Sequence, residues 1–204
     1  SVTVRWAGTR TPGAEAGGPT LLNVVSSASL DSAGHRYRFG TVDIAPAGGG
    51  SLNVVNSVRL HDEYLYGISE VSSSWPAAAQ QAQVLAARTY ALSKIARGVR
   101  SACNCHLDDG GGPYSDQTFT GWTKASSAKG DQWVANVNAT AVSPNAGLAI
   151  LHNGQPISAF YSASSGGATQ SVQDVWGGAL PYAVSVPDPY MQVPENPNRA
   201  WTVS

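Results

Sequence analysis

The stretch from His61 to Lys94, HDEYLYGISEVSSSWPAAAQQAQVLAARTYALSK, decides how the rest of the chain is read. Tyr64, Leu65, Ile68 and Val71 recur at the spacing of an amphipathic helix, which predicts a first helix from His61 to about Val71. Ser72, Ser73 and Ser74 break it. Pro76 suits the first turn of a second helix, with Ser74 or Trp75 at the cap. From Ala77 to Ala87 that helix carries no charge, and such a surface predicts that other segments enclose it. One stripe is Ala78, Ala82, Leu85, Ala86, Thr89 and Leu92; a second is Gln83, Ala87, Tyr90 and Lys94. Arg88 needs an acceptor inside such a packing, and a carboxylate is the expected one.

Glu70 sits at the joint of this helical pair. A solitary carboxylate near Trp75 and Tyr66, in a segment poor in charge, is disfavoured in its ionised form, as a general acid requires. The competing reading is a surface glutamate at a helix end.

Working outward, the 204 residues allow one sizeable core, and the formal net charge of -1 gives no reason to expect nucleic acid. Only 12% of residues are charged, and small polar residues are abundant, a composition common among secreted bacterial proteins. No run of about eighteen apolar residues exists to span a membrane. Strands are expected at Ser1 to Trp6, Leu21 to Val25, Tyr37 to Ile44 and Leu52 to Leu60, with a loop from Thr9 to Pro19 and a glycine turn at Gly48 to Gly50. A polar, glycine-rich loop follows from Gly98 to Ser115, then a brief helical turn at Trp122 to Ser127 and an alternating strand at Gln132 to Val142. Gly147 to His152 and Gln155 to Tyr161 read as a hairpin on the Asn153-Gly154 turn. Its second strand runs into Ser162 to Gly167, where hydroxyls and exposed N–H groups invite a close ligand. A proline-rich tail follows Pro181-Tyr182, and Trp201 marks a last packed element. The fold class is therefore α+β, with mostly antiparallel sheet elements around a helical pair that includes a long buried alanine-rich helix.

Cys103 and Cys105 flank one residue and precede His106. A disulfide across so short a span is hard to close, while two thiolates and an imidazole make a weak metal set without an evident fourth ligand. Disulfide, free thiols and metal all stay open.

Four blocks carry a resemblance: VNSVRLHDEYLYGISEV (55–71), SWPAAAQQAQVLAARTYAL (74–92), GQPISAFYSASSGG (154–167) and VWGGALPYAVSV (175–186). Their order resembles the SpoIID/LytB family of bacterial cell-wall proteins from about Tyr37 to Trp201, with residues 1–36 only loosely matched and 37–204 forming one unit. The resemblance implies a lytic transglycosylase acting on peptidoglycan glycan strands, denuded of stem peptides, or an amidase enhancer that binds the wall without cleaving it. It implies Glu70 as the catalytic residue and an extracytoplasmic, secreted or wall-associated place. A cell-wall amidase is the implied partner. Some members resemble zinc proteins in the loop after the long helix; the spacing of Cys103, Cys105 and His106 differs, so no zinc is carried over and no cofactor is expected. Gln83 and Arg88 on the long helix, Tyr161, Ser162, Ser164 and Ser165 at the strand end, and Gln117 and Trp75 at the cleft wall are the candidate substrate-binding residues; Trp176 is a further ring able to stack on sugar. The rival chemistry is a serine hydrolase with Ser164 or Ser165, His152 and Asp174, though no G-x-S-x-G elbow is present.

Overall fold

A computed structural model describes residues 4–8, 21–24, 35–109, 115–194, 196 and 198–200. The loop expected at Thr9 to Pro19 and the element expected at Trp201 lie outside these residues, as do the ends of the first two expected strands.

The N-terminal half is antiparallel sheet. Strands β1 (Val4–Ala7), β4 (Thr41–Gly48) and β5 (Ser51–Ser57) form a three-stranded sheet in the order β1-β4-β5, and β2 (Leu22–Val24) pairs with β3 (His35–Tyr37). Gly48, Gly49 and Gly50 all take positive φ at the β4–β5 turn, as the glycine run requires. Where one strand was expected from Tyr37 to Ile44, Gly40 at φ 66 divides β3 from β4.

The helical pair differs from the expected one. The chain is helical only at Leu60–Tyr64, a wide turn that runs on to Tyr66, and then extends. The paired helices are instead α1 (Ala77–Ile95) and α3 (Gly130–Ala139), with the short α2 (Trp122–Ala125) between them in sequence. Gln132 to Val142 is thus mostly helix, not strand. Trp133 and Val137 stand one turn apart and are both fully buried, with Asn136 and Thr140 completing the inner face. Ala135, Ala139 and Ala141 extend an alternation with Trp133 and Val137 that a helical face fits as well, so alternation is a false signal here. Leu65, Ile68, Val84, Ala87, Ala91 and Val42 join this core, and the Trp133 Nε1 donates to the Leu65 carbonyl at 2.9 Å. Burying a side chain such as Leu65 or Ile68 contributes roughly 2–3 kcal/mol.

Helix α1 is enclosed on one face only. Gln80, Val84, Ala87, Arg88, Thr89 and Ala91 are buried, whereas Ala78 and Ala82 of the expected stripe are exposed. Its start has no side-chain cap; Gln80 Nε2 instead reaches back to the carbonyls of Ser73 and Trp75 at 3.0 and 2.6 Å.

The C-terminal part is held by short pairings. Strands β6 (Ala141–Ser143) and β7 (Ala146–Gly147) pair, and β8 (Leu151–His152) pairs with β9 (Gln155–Pro156) across Asn153 and Gly154, at φ 50 and 75. The turn is the expected one; the strands are far shorter, because Pro156 has no N–H to extend the ladder. A final helix α4 (Val172–Trp176) precedes the expected proline-rich tail, and a tight turn at Pro189–Gln192 lies within that tail. Among the described residues no helix is long and apolar enough to cross a membrane.

Candidate functional site

Glu70 is presented by an extended segment rather than a helix end. Gly67 to Glu70 runs antiparallel to Thr118–Gly121: Ser69 N donates to the Thr118 carbonyl at 2.9 Å, and Thr120 N donates to the Gly67 carbonyl at 2.8 Å. The hydroxyls of Ser69 and Thr120 meet at 2.6 Å. Gly67 permits this approach, since a Cβ there would stand 2.4 Å from a ring carbon of Phe119. The Glu70 side chain then prolongs the ladder, its Oε1 accepting from Thr118 N at 2.7 Å.

A second donor reaches the same oxygen. Tyr161 gives its hydroxyl proton to Glu70 Oε1 at 3.1 Å, which brings the carboxylate to the head of the serine-glycine segment. Behind it runs a directional relay. Tyr64 donates to Gln117 Oε1 at 2.8 Å, and Gln117 Nε2 donates to the Tyr161 oxygen at 3.0 Å, so that among the described residues the Tyr161 proton serves Glu70. Burial pushes the Tyr161 phenol up; the Gln117 hydrogen bond opposes this, and the neighbouring Glu70 adds to it, so Tyr161 remains a donor. Burial likewise raises Tyr64. Both described hydrogen bonds to Glu70 end on Oε1, so Oε2 has no protein partner among the described residues. Tyr66, expected beside Glu70, turns its hydroxyl to Asn138 instead, at 2.7 Å.

The next residue along is also tied. Lys124, nearly buried, donates its Nζ to the Val71 carbonyl and lies 4.9 Å over the Trp133 ring. Burial pulls its ammonium below the ordinary lysine range.

The other candidates fall into groups. Gln117 and Tyr161 converge on Glu70, as above. Gln83 shares a face of α1 with Ala87, whose carbonyl is reached by Gln117 Nε2 at 3.4 Å; the Gln83 Nε2 is itself buried without a partner among the described residues. Arg88 does not find a carboxylate. It donates to the carbonyls of Leu148 (2.8 Å) and His61 (3.3 Å) and to Thr140 Oγ1 (2.9 Å), so carbonyl and hydroxyl oxygens take the expected acceptor's place. With Ile150 N donating to Thr89 Oγ1 at 2.9 Å, these bonds fasten residues 148–150 onto α1. Ser165 gives its proton to Asp188 at 2.9 Å, Ser162 is exposed and Ser164 half-buried. Trp75 is 50% exposed.

The serine-hydrolase residues are dispersed among other partners. His152 lies beside the Tyr182 ring at 5.3 Å, and Asp174 accepts from Ser171 at 2.7 Å as it caps α4. Cys103 and Cys105 are joined as a disulfide, which consumes the two thiolates a metal would use and leaves His106 alone. Among the described residues no cluster of His, Cys, Asp and Glu is arranged to hold a metal.

Three features escaped the sequence reading. Tyr64 starts the relay, Thr118 supplies a backbone donor, and Asp116 is a buried carboxylate clasped by Lys94 (2.7 Å), Arg100 (2.6 Å), Tyr90 (2.9 Å) and Asp108 N (3.0 Å). Local residue types give little signal for them: Gln117 and Phe119 are buried on either side of the exposed Thr118, but Ser115, on the same side of such an alternation, is exposed. A cavity of about 580 Å³ lies against β5 and the 103–109 loop, and it shares Tyr64 and Gln117 with the relay but does not include Glu70.

The SpoIID family, described as stage II sporulation protein, matches residues 48–147, which takes in Glu70 and Gln117 and stops short of Tyr161. The amidase enhancer of Bacillus subtilis (strain 168) is 29% identical over 136 residues, covering 67% of this chain and 16% of that protein. Stage II sporulation protein D of the same organism is 29% identical over 137 residues, covering 63% of this chain and 38% of that protein. An uncharacterized protein of Brachyspira hyodysenteriae is 29% identical over 134 residues, 65% of this chain and 33% of its own length. This chain thus spans well under half the length of each of these relatives. The family match and the two named relatives support the SpoIID/LytB family for this chain.

Proposed function

We propose that the chain acts on the bacterial cell wall as a lytic transglycosylase, cleaving peptidoglycan glycan strands with Glu70 as acid and then base. The observation that carries this is the asymmetry of the carboxyl group: two donors hold Oε1, while Oε2 has no protein partner among the described residues. A glycosidic bond needs its leaving oxygen protonated while positive charge builds on the ring carbon. Glu70 Oε2 gives its proton to the oxygen linking N-acetylmuramic acid to N-acetylglucosamine, and the C1–O bond breaks. The carboxylate then takes the proton of the muramic 6-hydroxyl as that oxygen closes on C1. The product is a 1,6-anhydro end, no water is consumed, and Glu70 is protonated again. One carboxylate suffices.

The neighbouring groups serve this step. Tyr161 and Thr118 N fix the carboxyl in one orientation, which is where proximity contributes most. Gln83, whose buried amide donor has no partner among the described residues, suits an N-acetyl or hydroxyl oxygen of the substrate. Ser162 and Ser164 border the same end and offer hydroxyls to an uncharged sugar, while the Arg88 bonds support the wall rather than the sugar. Acting on peptidoglycan places the chain outside the cytoplasm.

A second reading rests on the relative named amidase enhancer: the chain grips the wall and assists a cell-wall amidase without cleaving glycan. Incubating the protein and a Glu70→Gln variant with peptide-free glycan strands separates the two. The transglycosylase reading requires anhydro-muramic ends by mass spectrometry from the wild type and none from the variant. Identical traces would sink it in favour of assistance.

A further inference from the structure

A row of aromatic rings adjoins the Glu70 site. Phe160, the residue before Tyr161, lies edge-on to Tyr90 at 6.3 Å and against Trp176 at 4.7 Å, tilted by 46°. Its outer members face solvent, Phe160 at 48% and Trp176 at 63% exposure. Two large rings left side by side in water forgo the stabilisation that burial would bring, and a contiguous apolar face of this kind marks a binding surface.

The shelf is held in place by its own local structure. Asp174 N donates to Ser171 Oγ at 3.2 Å at the start of α4, and Gly177 at φ 81 closes the helix directly after Trp176. Tyr90 in turn is fixed from below, its hydroxyl on Asp116 at 2.9 Å. Along α1, Gln83, Ala87 and Tyr90 share one face, so the rings stand at one end and the Gln83 amide, without a partner among the described residues, about 10 Å away at the other. Gln117 reaches the chain at Ala87 and passes to Tyr161 and Glu70 between these ends. The ligand that matches is a chain of flat, partly apolar rings bearing amide acceptors.

We infer that Phe160 and Trp176 form a stacking subsite for a pyranose ring of an N-acetylhexosamine chain, adjacent to the linkage that meets Glu70. The C–H face of such a ring is apolar and lies on the aromatic surface, while its hydroxyls stay at the edge in water. This deepens the glycan reading of Glu70 and rests on it, yet it fails or stands by a different measurement.

The test is calorimetric titration of a tetramer of β-1,4-linked N-acetylglucosamine into the wild type, Trp176→Ala, Phe160→Ala and Trp176→Phe, with thermal midpoints recorded for each. The expected result is affinity weakened about five- to tenfold in each alanine variant and largely recovered in Trp176→Phe. The midpoints of the alanine variants stay at the wild-type value because the rings are exposed. Wild-type affinity in both alanine variants overturns the subsite even where glycan is cleaved, and so does a wild type that does not bind the tetramer. Binding that depends on the rings, without anhydro ends from the wild type, upholds the subsite and overturns the transglycosylase.

Discussion

Two carboxylates on either side of one short segment, Glu70 and Asp116, face opposite fates. The Asp116 side chain is 2% exposed and saturated, with Lys94, Arg100, Tyr90 and a backbone N–H all turned onto it. Glu70 is half-buried, and among the described residues it meets no cation and keeps one oxygen without a partner. The difference teaches what each can do. A carboxylate locked by two cations holds chain segments together but has no proton to lend; one held by neutral donors through a single oxygen keeps its position and its chemistry. Gln117, between Asp116 and Thr118, links the two regions by passing its hydrogen bond to Tyr161.

The sharpest way to break this comparison is to neutralise each carboxylate in turn. Glu70→Gln is expected to lower glycan cleavage by about a thousandfold, the span of a lost general acid, while leaving the thermal midpoint at the wild-type value. Turnover on peptide-free strands and a melting curve check both halves. Asp116→Ala should do the reverse: about 3 kcal/mol of stability, on the order of 10 °C in midpoint, because Lys94 and Arg100 lose their shared partner. Cleavage should persist below the new midpoint. A stable Asp116→Ala protein would contradict the structural role given to that residue.

Smaller changes sharpen the account. Tyr161→Phe removes one donor to Glu70 Oε1 and leaves the ring, and is expected to slow cleavage about ten- to a hundredfold through kcat with KM little changed. A larger rise in KM than fall in kcat would move Tyr161 from orienting the acid to gripping the sugar. The mildest effect is on pH. Burial works to raise the Asp116 carboxyl, but the Lys94, Asp108 N–H and Tyr90 hydrogen bonds outweigh it and hold the group below the usual value. A depressed folded value stabilises the protein at pH above the unfolded value of about 3.9, and that part is lost as pH falls through the folded value. Asp116→Asn should therefore flatten the acid limb of stability against pH, measured by denaturant unfolding from pH 6 downward. An unchanged limb would show that other carboxylates carry it.

Much of this site could be read from residues close in sequence. The α1 helix is long and uninterrupted, Asn153-Gly154 dictates its turn, and Glu70 stands out because its surroundings lack charge. The misreadings have one physical source: partners far along the chain. Ile68 and Val71 fit a helical period with Tyr64 and Leu65, but the segment after Gly67 is drawn straight by pairing with Phe119, which only a glycine allows. Trp133 and Val137 fit alternation as well as a helical turn until α1 supplies a face to pack on. Arg88 finds carbonyls because residues 148–150 fold back over it, a closure that local spacing does not announce. The open question at Cys103 and Cys105 resolves as a disulfide within a loop whose backbone is also pinned, by Asn53 donating to the Cys103 carbonyl at 2.8 Å.

The central claim is that Glu70 moves one proton out and back while the sugar's own hydroxyl, not water, closes the reaction. Digestion of peptide-free glycan strands in water enriched in heavy oxygen, followed by mass spectrometry of the new ends, tests it most directly. The account predicts 1,6-anhydro-muramic ends that carry no heavy oxygen. Reducing ends labelled with heavy oxygen would contradict it, because a water molecule would then have attacked the ring carbon.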